Sequence, residues 1–358
     1  MRVLTSINEH IYRKTGADFT HPTFIRCIVT ERCNYKCQYC SHWRQERYTQ
    51  EMSLEDWKRA IVSLKEFKHP LVVQFVGGEP FVWPHFIDLV EFCRSIDVNW
   101  GVITNGSVFT NEKIVKKIVA ARPLNIDISV DSSKSEIHDK ARGVDGSLVR
   151  IEAGMRLLVA ARKQGKHWFP IRIKPTVHRL NASHLVEIVN WARRQGATSI
   201  DFSPVRLWRK EDIDALWVST QEQQSSLKEQ IDDVIKMQAN GGPIETSKNK
   251  LESIPSHFAG EEVQHGAVKC RSALRDFLIH PNGDVIVCSC FPVVGNLREQ
   301  SAKSIWKGTR AKQARQASLK CKTYTTGAIA TSCTAHRSLW QDLRRATLLF
   351  GRFTKRCH

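Results

Sequence analysis

Long apolar stretches are missing from this sequence. No stretch reaches the length that a membrane-spanning helix needs, and the N-terminus lacks the apolar core of a signal peptide. These two absences favour a cytoplasmic protein. Acidic residues are also scarce, because 36 Asp and Glu stand against 54 Lys and Arg and the net charge is +18. Such an excess of positive charge attracts phosphates, nucleic acid, anionic membranes or an acidic protein partner.

The chain has 11 cysteines, an odd number that favours thiols kept reduced inside a cell over a framework of paired disulfides. Three of them, Cys33, Cys37 and Cys40, follow the strand-like run 24–30 with the spacing Cys-x3-Cys-x2-Cys. Three thiolates on one short loop can bind three irons of a four-iron four-sulfur (4Fe-4S) cluster and leave the fourth iron open for chemistry. Close cysteines also bind zinc or stay unligated, but zinc usually takes four ligands and this triplet supplies three.

Further motifs follow the next apolar runs of the chain. They are Gly77-Gly78-Glu79-Pro80 after the run 71–76, Thr104-Asn105-Gly106 after the run 98–103, Ser129 and Asp131 at the end of the run 125–130, and then His138-Asp139 and Arg142-Gly143. Together with the three cysteines, these motifs resemble those of the radical SAM superfamily. The last two segments are similar to a pattern common in the branch of that superfamily that carries extra clusters.

The resemblance implies that the open iron binds S-adenosylmethionine (SAM) and that an electron from the cluster splits its sulfonium to give a 5′-deoxyadenosyl radical. It implies that Tyr39 lies against the adenine and that the two glycines let the backbone approach the methionine moiety closely. It also implies that Glu79 or nearby carbonyls accept from the ammonium group of that moiety, and that the planar fork of Arg142 binds its carboxylate. A cap and a surface ion pair remain the alternative for His138 and Arg142. The full set of predicted cofactor-binding residues is Tyr39, Gly77, Gly78, Glu79, Pro80, Asn105, Ser129, Asp131 and Arg142.

Hydrophobic periodicity predicts an α/β architecture without reference to these motifs. Short apolar runs lie near 24–30, 71–76, 98–103, 125–130, 170–177 and 199–204, and helical stretches lie near 53–67, 85–95, 111–121, 147–164 and 182–195. This alternation indicates a parallel sheet with helices outside it. The count fits the partial (βα)6 TIM-like barrel that the resemblance implies, which is open laterally to a substrate.

A second group of cysteines lies near the C-terminus. The run from Phe277 to Cys288 predicts a β-hairpin that turns at Asn282-Gly283 and returns Cys288 towards Cys270. This part resembles the auxiliary-cluster domains known as SPASM and twitch, which implies a second 4Fe-4S cluster. The predicted ligands of that cluster are Cys270, Cys288, Cys321 and Cys333, with Cys290 and Cys357 as possible substitutes.

Lys322-Thr323-Tyr324 follows Cys321, so the Cys-x2-Cys pair of a full SPASM domain is missing there and one auxiliary cluster is expected rather than two. Cys27 and Cys93 lie in apolar surroundings and are expected to be buried core thiols.

Five segments follow from these observations. They are an N-terminal extension at 1–21, the radical SAM barrel at 22–204, a connecting helix and loop region at 205–268, the auxiliary-cluster domain at 269–337 and a basic amphipathic tail at 338–358. Much of the expected basic surface gathers towards the C-terminal end of the chain and includes Lys307, Arg310, Lys312 and Arg315. The tail is predicted to pack on the barrel, with peripheral contact with an anionic membrane as the alternative.

The sequence therefore predicts a radical SAM oxidoreductase-type enzyme that removes hydrogen from an unactivated C–H bond. Because about twenty residues precede the first strand, we expect a small-molecule substrate, such as a sugar, an aminocyclitol, a nucleotide or a lipid, and its oxidation or epimerisation. The alternative is radical modification of a ribosomal peptide or a protein side chain. The expected electron donor is an acidic protein of the flavodoxin or ferredoxin type. A non-catalytic iron–sulfur protein is a third possibility, which the open iron disfavours.

Overall fold

Strands of the barrel and strands of the C-terminal hairpin belong to one sheet. The computed structural model describes residues 2–44, 50–67, 72–165, 167–207, 209–260 and 272–320. The strands of this part of the chain are β1 (Phe24–Ile28), β2 (Val72–Val76), β3 (Asn99–Thr104), β4 (Asn125–Ile128), β5 (Ile171–Ile173), β6 (Thr176–Val177), β7 (Ser199–Ile200), β8 (Ser203–Pro204), β9 (Asp276–Ile279), β10 (Asp284–Ile286) and β11 (Gly295–Asn296). The order in the sheet is β11-β10-β9-β1-β2-β3-β4-β5-β7, and β6 pairs separately with β8.

Helices connect these strands and cover one face of the sheet. Those of the described residues are α1 (Arg2–Thr15), α2 (Leu54–Leu64), α3 (Phe86–Ser95), α4 (Glu112–Ala120), α5 (Ser135–Arg142), α6 (Ser147–Gln164), α7 (Leu185–Arg194), α8 (Ile213–Leu216), α9 (Gln221–Ala239), α10 (Lys248–Ala259), α11 (Ser272–Arg275), α12 (Ala302–Lys307) and α13 (Thr309–Lys320). No helix among them is long and apolar enough to cross a membrane.

The predicted barrel is confirmed. Strands β1, β2, β3, β4, β5 and β7 pair in parallel in this order, as six successive strand–helix units require. The predicted helices near 53–67, 85–95, 111–121, 147–164 and 182–195 correspond to α2, α3, α4, α6 and α7. The structure adds α1, α5 and α10, which the sequence analysis did not assign.

Side chains on the two faces of this sheet differ in character. Because successive residues of a strand point to opposite faces, apolar side chains such as Val73 and Ile126 pack under the helices. The alternate positions carry polar groups instead, and Arg172 on β5 pairs with Asp127 on β4 at 2.7 Å. Parallel sheets that are covered on both sides are apolar on both. The face that carries these polar groups is called the inner face below.

The C-terminal hairpin extends the barrel sheet. Strand β9 pairs in parallel with β1, and β10 pairs antiparallel with β9. The predicted turn at Asn282-Gly283 is present, with Gly283 in the left-handed region at φ 92°. Arg26 of β1 lies 3.5 Å from the carboxylate of Asp276 at the start of β9. The hairpin is thus fixed to the strand that precedes the three cysteines.

Basic residues of the C-terminal helices are partly used inside the protein. The guanidinium of Arg315 is buried, donates to Asp18 at 2.8 Å and stacks over Trp306. Lys307 donates to the backbone carbonyl of Asp18 at 3.1 Å. These two residues hold α12 and α13 against the segment after α1, so counting them as free surface charge was wrong.

The region 205–260 is more helical than predicted. Helix α9 matches the predicted helix around 221–237, but α10 packs beside it where a loop was expected. Trp217 donates to the carbonyl of Phe258 at 3.0 Å and stacks edge-on against its ring. Through this contact Trp217 packs against α10. Trp208 lies outside the described residues.

Candidate active site

The three cysteines lie on a loop, residues 30–40, that begins just beyond the carboxyl end of β1. This segment is called the cysteine loop below. Cys37 is buried and Cys33 and Cys40 are half-buried. A backbone bond from Cys40 N to Cys37 O at 3.1 Å closes a tight turn, and Tyr35 N donates to Cys33 Sγ at 3.3 Å. The loop therefore holds all three thiols at the end of the barrel where active sites of such folds form.

The Gly-Gly-Glu-Pro segment supports the cysteine loop from the β2 side. Gly78 N donates to Thr30 O at 2.9 Å, and Glu79 N donates to Arg32 O at 2.8 Å. A Cβ on Gly78 would lie 2.1 Å from Arg32 O, and a Cβ on Gly77, whose φ is 136°, would lie 2.4 Å from Thr30 O. Both glycines are thus required by the contact between two loops, which the sequence analysis did not foresee when it related them to the methionine moiety.

The carboxylate of Glu79 joins β2 to the end of β3. It accepts from Thr104 Oγ1 at 2.8 Å, from Asn105 N at 2.7 Å and from Phe81 N at 3.2 Å. Burial raises the pKa of Glu79 to about 7, although these donors act in the opposite direction. Asn105 in turn donates to Asn34 of the cysteine loop at 2.8 Å. Pro80, also buried, begins a short 3₁₀ turn.

A buried ion pair lies beneath the cysteine loop. Arg142 Nη2 donates to Asp131 Oδ1 at 2.9 Å, and Arg142 Nε lies 2.8 Å from Oδ2. Tyr39 donates its hydroxyl to the same carboxylate at 2.6 Å, and the backbone N–H of Thr176 donates at 2.9 Å. Burial alone would raise the pKa of Asp131, but the Arg142 charge holds it well below its usual range. A substrate or cofactor carboxylate at Arg142 would therefore share the guanidinium with Asp131.

Helix α5 brings this ion pair to the cysteines. Arg142 Nη1 lies 3.9 Å from Cys37 Sγ, and Gln38 N donates to Ala141 O at 2.9 Å. A Cβ on Gly143, whose φ is 66°, would lie 2.5 Å from Lys36 O. The end of α5 thus packs directly on the cysteine loop, and this contact explains why glycine follows the arginine.

The other residues of the predicted site have structural contacts. His138 is buried and its Nδ1 accepts from Asp131 N at 3.2 Å, while Asp139 accepts from Ser147 Oγ at 2.6 Å and so caps α6. The cap stated as the alternative for His138 is not what its ring nitrogen makes, since it accepts from Asp131, and a surface ion pair was wrong for Arg142, which is buried. Ser129 N donates to Thr104 O at 2.9 Å.

Sequence reasoning missed the residues that hold Asp131 from the far side. Asn181 Nδ2 donates to Asp131 O at 2.7 Å and to Thr176 O at 2.8 Å, and the buried Nε2 of His178 lies 3.9 Å from Asp131 Oδ2. These residues follow β5 and β6, so they belong to the same carboxyl edge of the sheet. Their position at this edge is the feature by which the sequence analysis could have identified them.

The donor set of the cysteine loop suits an iron–sulfur cluster. Among the described residues, no three His, Cys, Asp or Glu side chains converge on one point that would hold a single metal ion. The irons of a 4Fe-4S cluster sit at separate corners, so its thiolates need not converge in this way. Burial raises the pKa of Cys33 to about 12, and it also raises the pKa of Cys37 and Cys40. Thiolates at this place need the positive charge that a bound cluster supplies.

Part of the predicted auxiliary site is described. Cys288 follows β10 and is half-buried, and Cys290, whose N–H donates to Cys288 Sγ at 3.5 Å, is exposed. Cys270, Cys321, Cys333 and Cys357 lie outside the described residues, as does the tail 338–358. Cys27 and Cys93 are buried in the apolar core, as expected.

Three thiols at the strand ends of a partial barrel, beside a loop built around two glycines, form an arrangement that can hold an iron–sulfur cluster. Comparison with known proteins agrees. A sequence profile of the radical SAM superfamily matches residues 27–192, and a profile of the SPASM iron–sulfur cluster-binding domain matches residues 270–334. The chain therefore carries a radical SAM domain followed by a C-terminal SPASM iron–sulfur domain. Its cofactors are SAM, the 4Fe-4S cluster of the radical SAM domain and auxiliary iron–sulfur cluster material bound by the SPASM domain.

Individual proteins are similar over most of the chain. The AdoMet-dependent heme synthase of Methanosarcina barkeri is 26% identical, over 80% of this chain and 82% of its own. The PqqA peptide cyclase of Bradyrhizobium diazoefficiens is 22% identical, over 84% and 76%. The structure of Streptococcus suis SuiB bound to SAM has a TM-score of 0.67 at 15% identity, covering 90% of this chain and 74% of that one. The structural likeness supports the fold.

Replacement of Gly78 by alanine tests the contact between the two loops. Because the added methyl would meet Arg32 O, we expect the G78A variant to bind less than half of the iron that the wild type binds at the cysteine loop. Iron should be measured after anaerobic reconstitution. Gly241→Ala is the control, since nothing lies within 4 Å of a Cβ there and only its left-handed backbone, at φ 82°, is strained. Full iron binding by G78A would contradict the expectation.

Replacement of Asp131 by asparagine tests the buried ion pair. The D131N change leaves the buried Arg142 without its charged partner, which typically costs about 3–5 kcal/mol. We expect the midpoint of urea unfolding to fall accordingly. Asp233→Asn is the matched control, because Asp233 pairs with Lys236 at 2.9 Å on an exposed helix surface, and its midpoint should not move. Equal midpoints for the two variants would show that the pair does not stabilise the fold.

Proposed function

We propose that this enzyme modifies a side chain of a ribosomal peptide or of a protein by radical chemistry. The observation that carries the proposal is the similarity to the PqqA peptide cyclase, which extends over 84% of the chain and 76% of that protein. The expected small-molecule substrate has less support, because it rested on the few residues before β1.

Named residues would hold the cofactors at this site. Cys33, Cys37 and Cys40 would bind the cluster, and the backbone of the Gly-Gly-Glu-Pro segment and Arg142 would border SAM. When bound, the cluster and SAM supply a 5′-deoxyadenosyl radical, which takes hydrogen from an unactivated C–H bond. The protein fixes the place of this chemistry, because the cysteine loop is bonded to β2, β3 and α5 at once.

Tyr39 and Asp131 would act as positioning residues. Tyr39 precedes the last cysteine and donates to Asp131, so the carboxylate determines the orientation of both the tyrosine ring and the Arg142 guanidinium. The pKa of Asp131 stays low, so its carboxylate remains charged at neutral pH and this geometry is kept. We propose that Arg142 binds the SAM carboxylate with its remaining N–H groups.

A small molecule is the second candidate substrate. The similarity to the AdoMet-dependent heme synthase, at 26% identity over 80% of the chain, favours it.

In either case we propose net oxidation of the substrate inside the cell. An acidic flavodoxin or ferredoxin would be the electron donor, and the auxiliary cluster would accept the substrate electron.

The substrate class is tested with the peptides encoded next to the gene. Reconstituted enzyme, SAM and a chemical reductant are incubated anaerobically with each short peptide, and products are followed by mass spectrometry. We expect one peptide to lose two hydrogens together with formation of 5′-deoxyadenosine. The Cys37→Ala variant should form neither product, whereas Cys93→Ala, whose thiol is buried away from the loop, should form both. Turnover of a tetrapyrrole without turnover of any peptide would favour the second candidate.

The predicted auxiliary ligands are tested by iron content. A variant with Cys33, Cys37 and Cys40 all replaced by alanine should retain about four irons per chain, because the auxiliary cluster has its own thiolates. Adding Cys288→Ala should remove most of this iron, whereas adding Cys93→Ala should leave it. Retention of almost no iron by the triple variant would show that Cys270, Cys288, Cys321 and Cys333 do not bind a cluster of this kind.

A further inference from the structure

Two lysines share a single carboxylate where β5 and β7, the last two strands of the barrel, end. Lys174 follows β5 and is ion-paired with Asp201, which follows β7. Lys250, in the first turn of α10, lies 3.5 Å from the same carboxylate and donates to Ser203 Oγ at 2.9 Å. Lys174, Lys250 and Asp201 are called the lysine pair site below. They come from three separate parts of the chain.

The neighbouring carboxylates are already used by another cation. Arg172 donates to Asp127 at 2.7 and 2.9 Å and to Glu245 at 3.3 Å, so one guanidinium has two acidic partners. The lysine pair site has the opposite balance, with two ammonium groups and one carboxylate. The charges of the lysine pair site alone sum to +1, and those of Arg172, Asp127 and Glu245 beside it sum to −1, so the two groups together are neutral.

The ammonium groups are held in place but remain accessible. The side chains of Lys174 and Lys250 are 25% and 22% exposed, and that of Asp201 is 22% exposed. Burial raises the pKa of Asp201, but the two lysines lower it further, to about 2, so the carboxylate stays charged. Each ammonium carries three N–H groups, more than these contacts require. The site can accept one further anion.

The lysine pair site lies beside the predicted cofactor site. Lys174 N donates to Ile128 O at the end of β4, at 2.8 Å. Two residues later, Thr176 N donates to the Asp131 carboxylate. The segment 174–176 thus joins the lysine pair site to the Asp131–Arg142 ion pair along the carboxyl edge of the sheet, where a substrate reaches the reaction centre.

We propose that Lys174 and Lys250 bind a carboxylate of the substrate and so select an acidic peptide segment. A carboxylate fits because each ammonium keeps N–H groups that its present contacts do not use, and because ammonium–carboxylate hydrogen bonds are among the strong ones in proteins. The carboxylate belongs either to a Glu or Asp side chain or to the C-terminus of the peptide. This inference rests on the proposed function, since it specifies which peptides would be accepted.

Binding of small capped amino acids tests the inference without any turnover. The anaerobically reconstituted full chain, with SAM present, is titrated with N-acetyl-glutamate amide, which carries a side-chain carboxylate, with N-acetyl-alanine, which carries a C-terminal one, and with neutral N-acetyl-glutamine amide. We expect one of the two acids to bind saturably and the neutral probe not to bind. The acid that binds identifies the source of the carboxylate. Equal binding of acid and neutral probes would overturn the inference.

Variants assign the binding to this site. Lys174→Met and Lys250→Met should each weaken the acid by about tenfold, because each removes one charge-assisted hydrogen bond. Lys236→Met is the matched control, since Lys236 lies on the exposed surface of α9 and pairs with Asp233. Its affinity should equal that of the wild type. Unchanged affinity in both Lys174→Met and Lys250→Met would overturn the inference.

The Asp201→Asn change should alter the affinity for the acid in the opposite direction. Asp201 competes with the ligand for the same two ammonium groups, so its neutralisation should strengthen binding of the acid, by about threefold or more. A gain of affinity cannot come from misfolding, and weaker binding in a variant with the wild-type unfolding midpoint would overturn the inference. Modification of a peptide by the enzyme with no acid binding would reject the lysine pair site alone. Acid binding with no modification of any peptide would reject the proposed function alone.

Discussion

The buried carboxylate of Asp131 is the interaction on which the arrangement of the site depends. An ionised carboxylate away from water must be paired and hydrogen-bonded, and here the donors are Arg142, Tyr39 and the backbone of Thr176. These donors come from α5, from the cysteine loop and from the segment after β5. The buried charge of Asp131 therefore holds together three parts of the chain that are distant in sequence. One of them is the cysteine loop, so this charge helps to position the cysteines.

Close backbone contact is the second constraint. The cysteine loop is in contact with Gly78 on one side and with Gly143 on the other, and a Cβ at either position would lie within 2.5 Å of a carbonyl oxygen. Hydrogen bonds can then form directly between backbones without side chains between them. This packing leaves the loop little freedom before any cluster binds. Such a site has less conformational entropy to lose on binding than a flexible loop would have.

The fold and the motifs of the barrel were predictable because they are local signals. Apolar runs such as 71–76 and the spacing of Cys33, Cys37 and Cys40 can be read within a short window of sequence, and the six parallel strands follow from them. The pairing of β9 with β1 could not be predicted, because it joins residues about 250 positions apart and neither strand carries a mark of its partner. Arg315 was counted as surface charge for the same reason, since its partner Asp18 lies at the other end of the chain.

Local signals also fail for the substrate side of the barrel, and this failure has a physical cause. The predicted cofactor-binding residues lie in short motifs that can be recognised within a few positions of sequence, whereas the residues after β5 and β7 form no such motif. Lys174, Asp201 and Lys250 are ordinary residues in the sequence, and only the folded sheet brings two ammonium groups to one carboxylate. Partial burial then strengthens the interaction of these two ammonium groups with a bound anion, because a charge of either sign interacts more strongly away from bulk water. The part of the barrel that carries no motif is thus the part in which specificity for one substrate would be found.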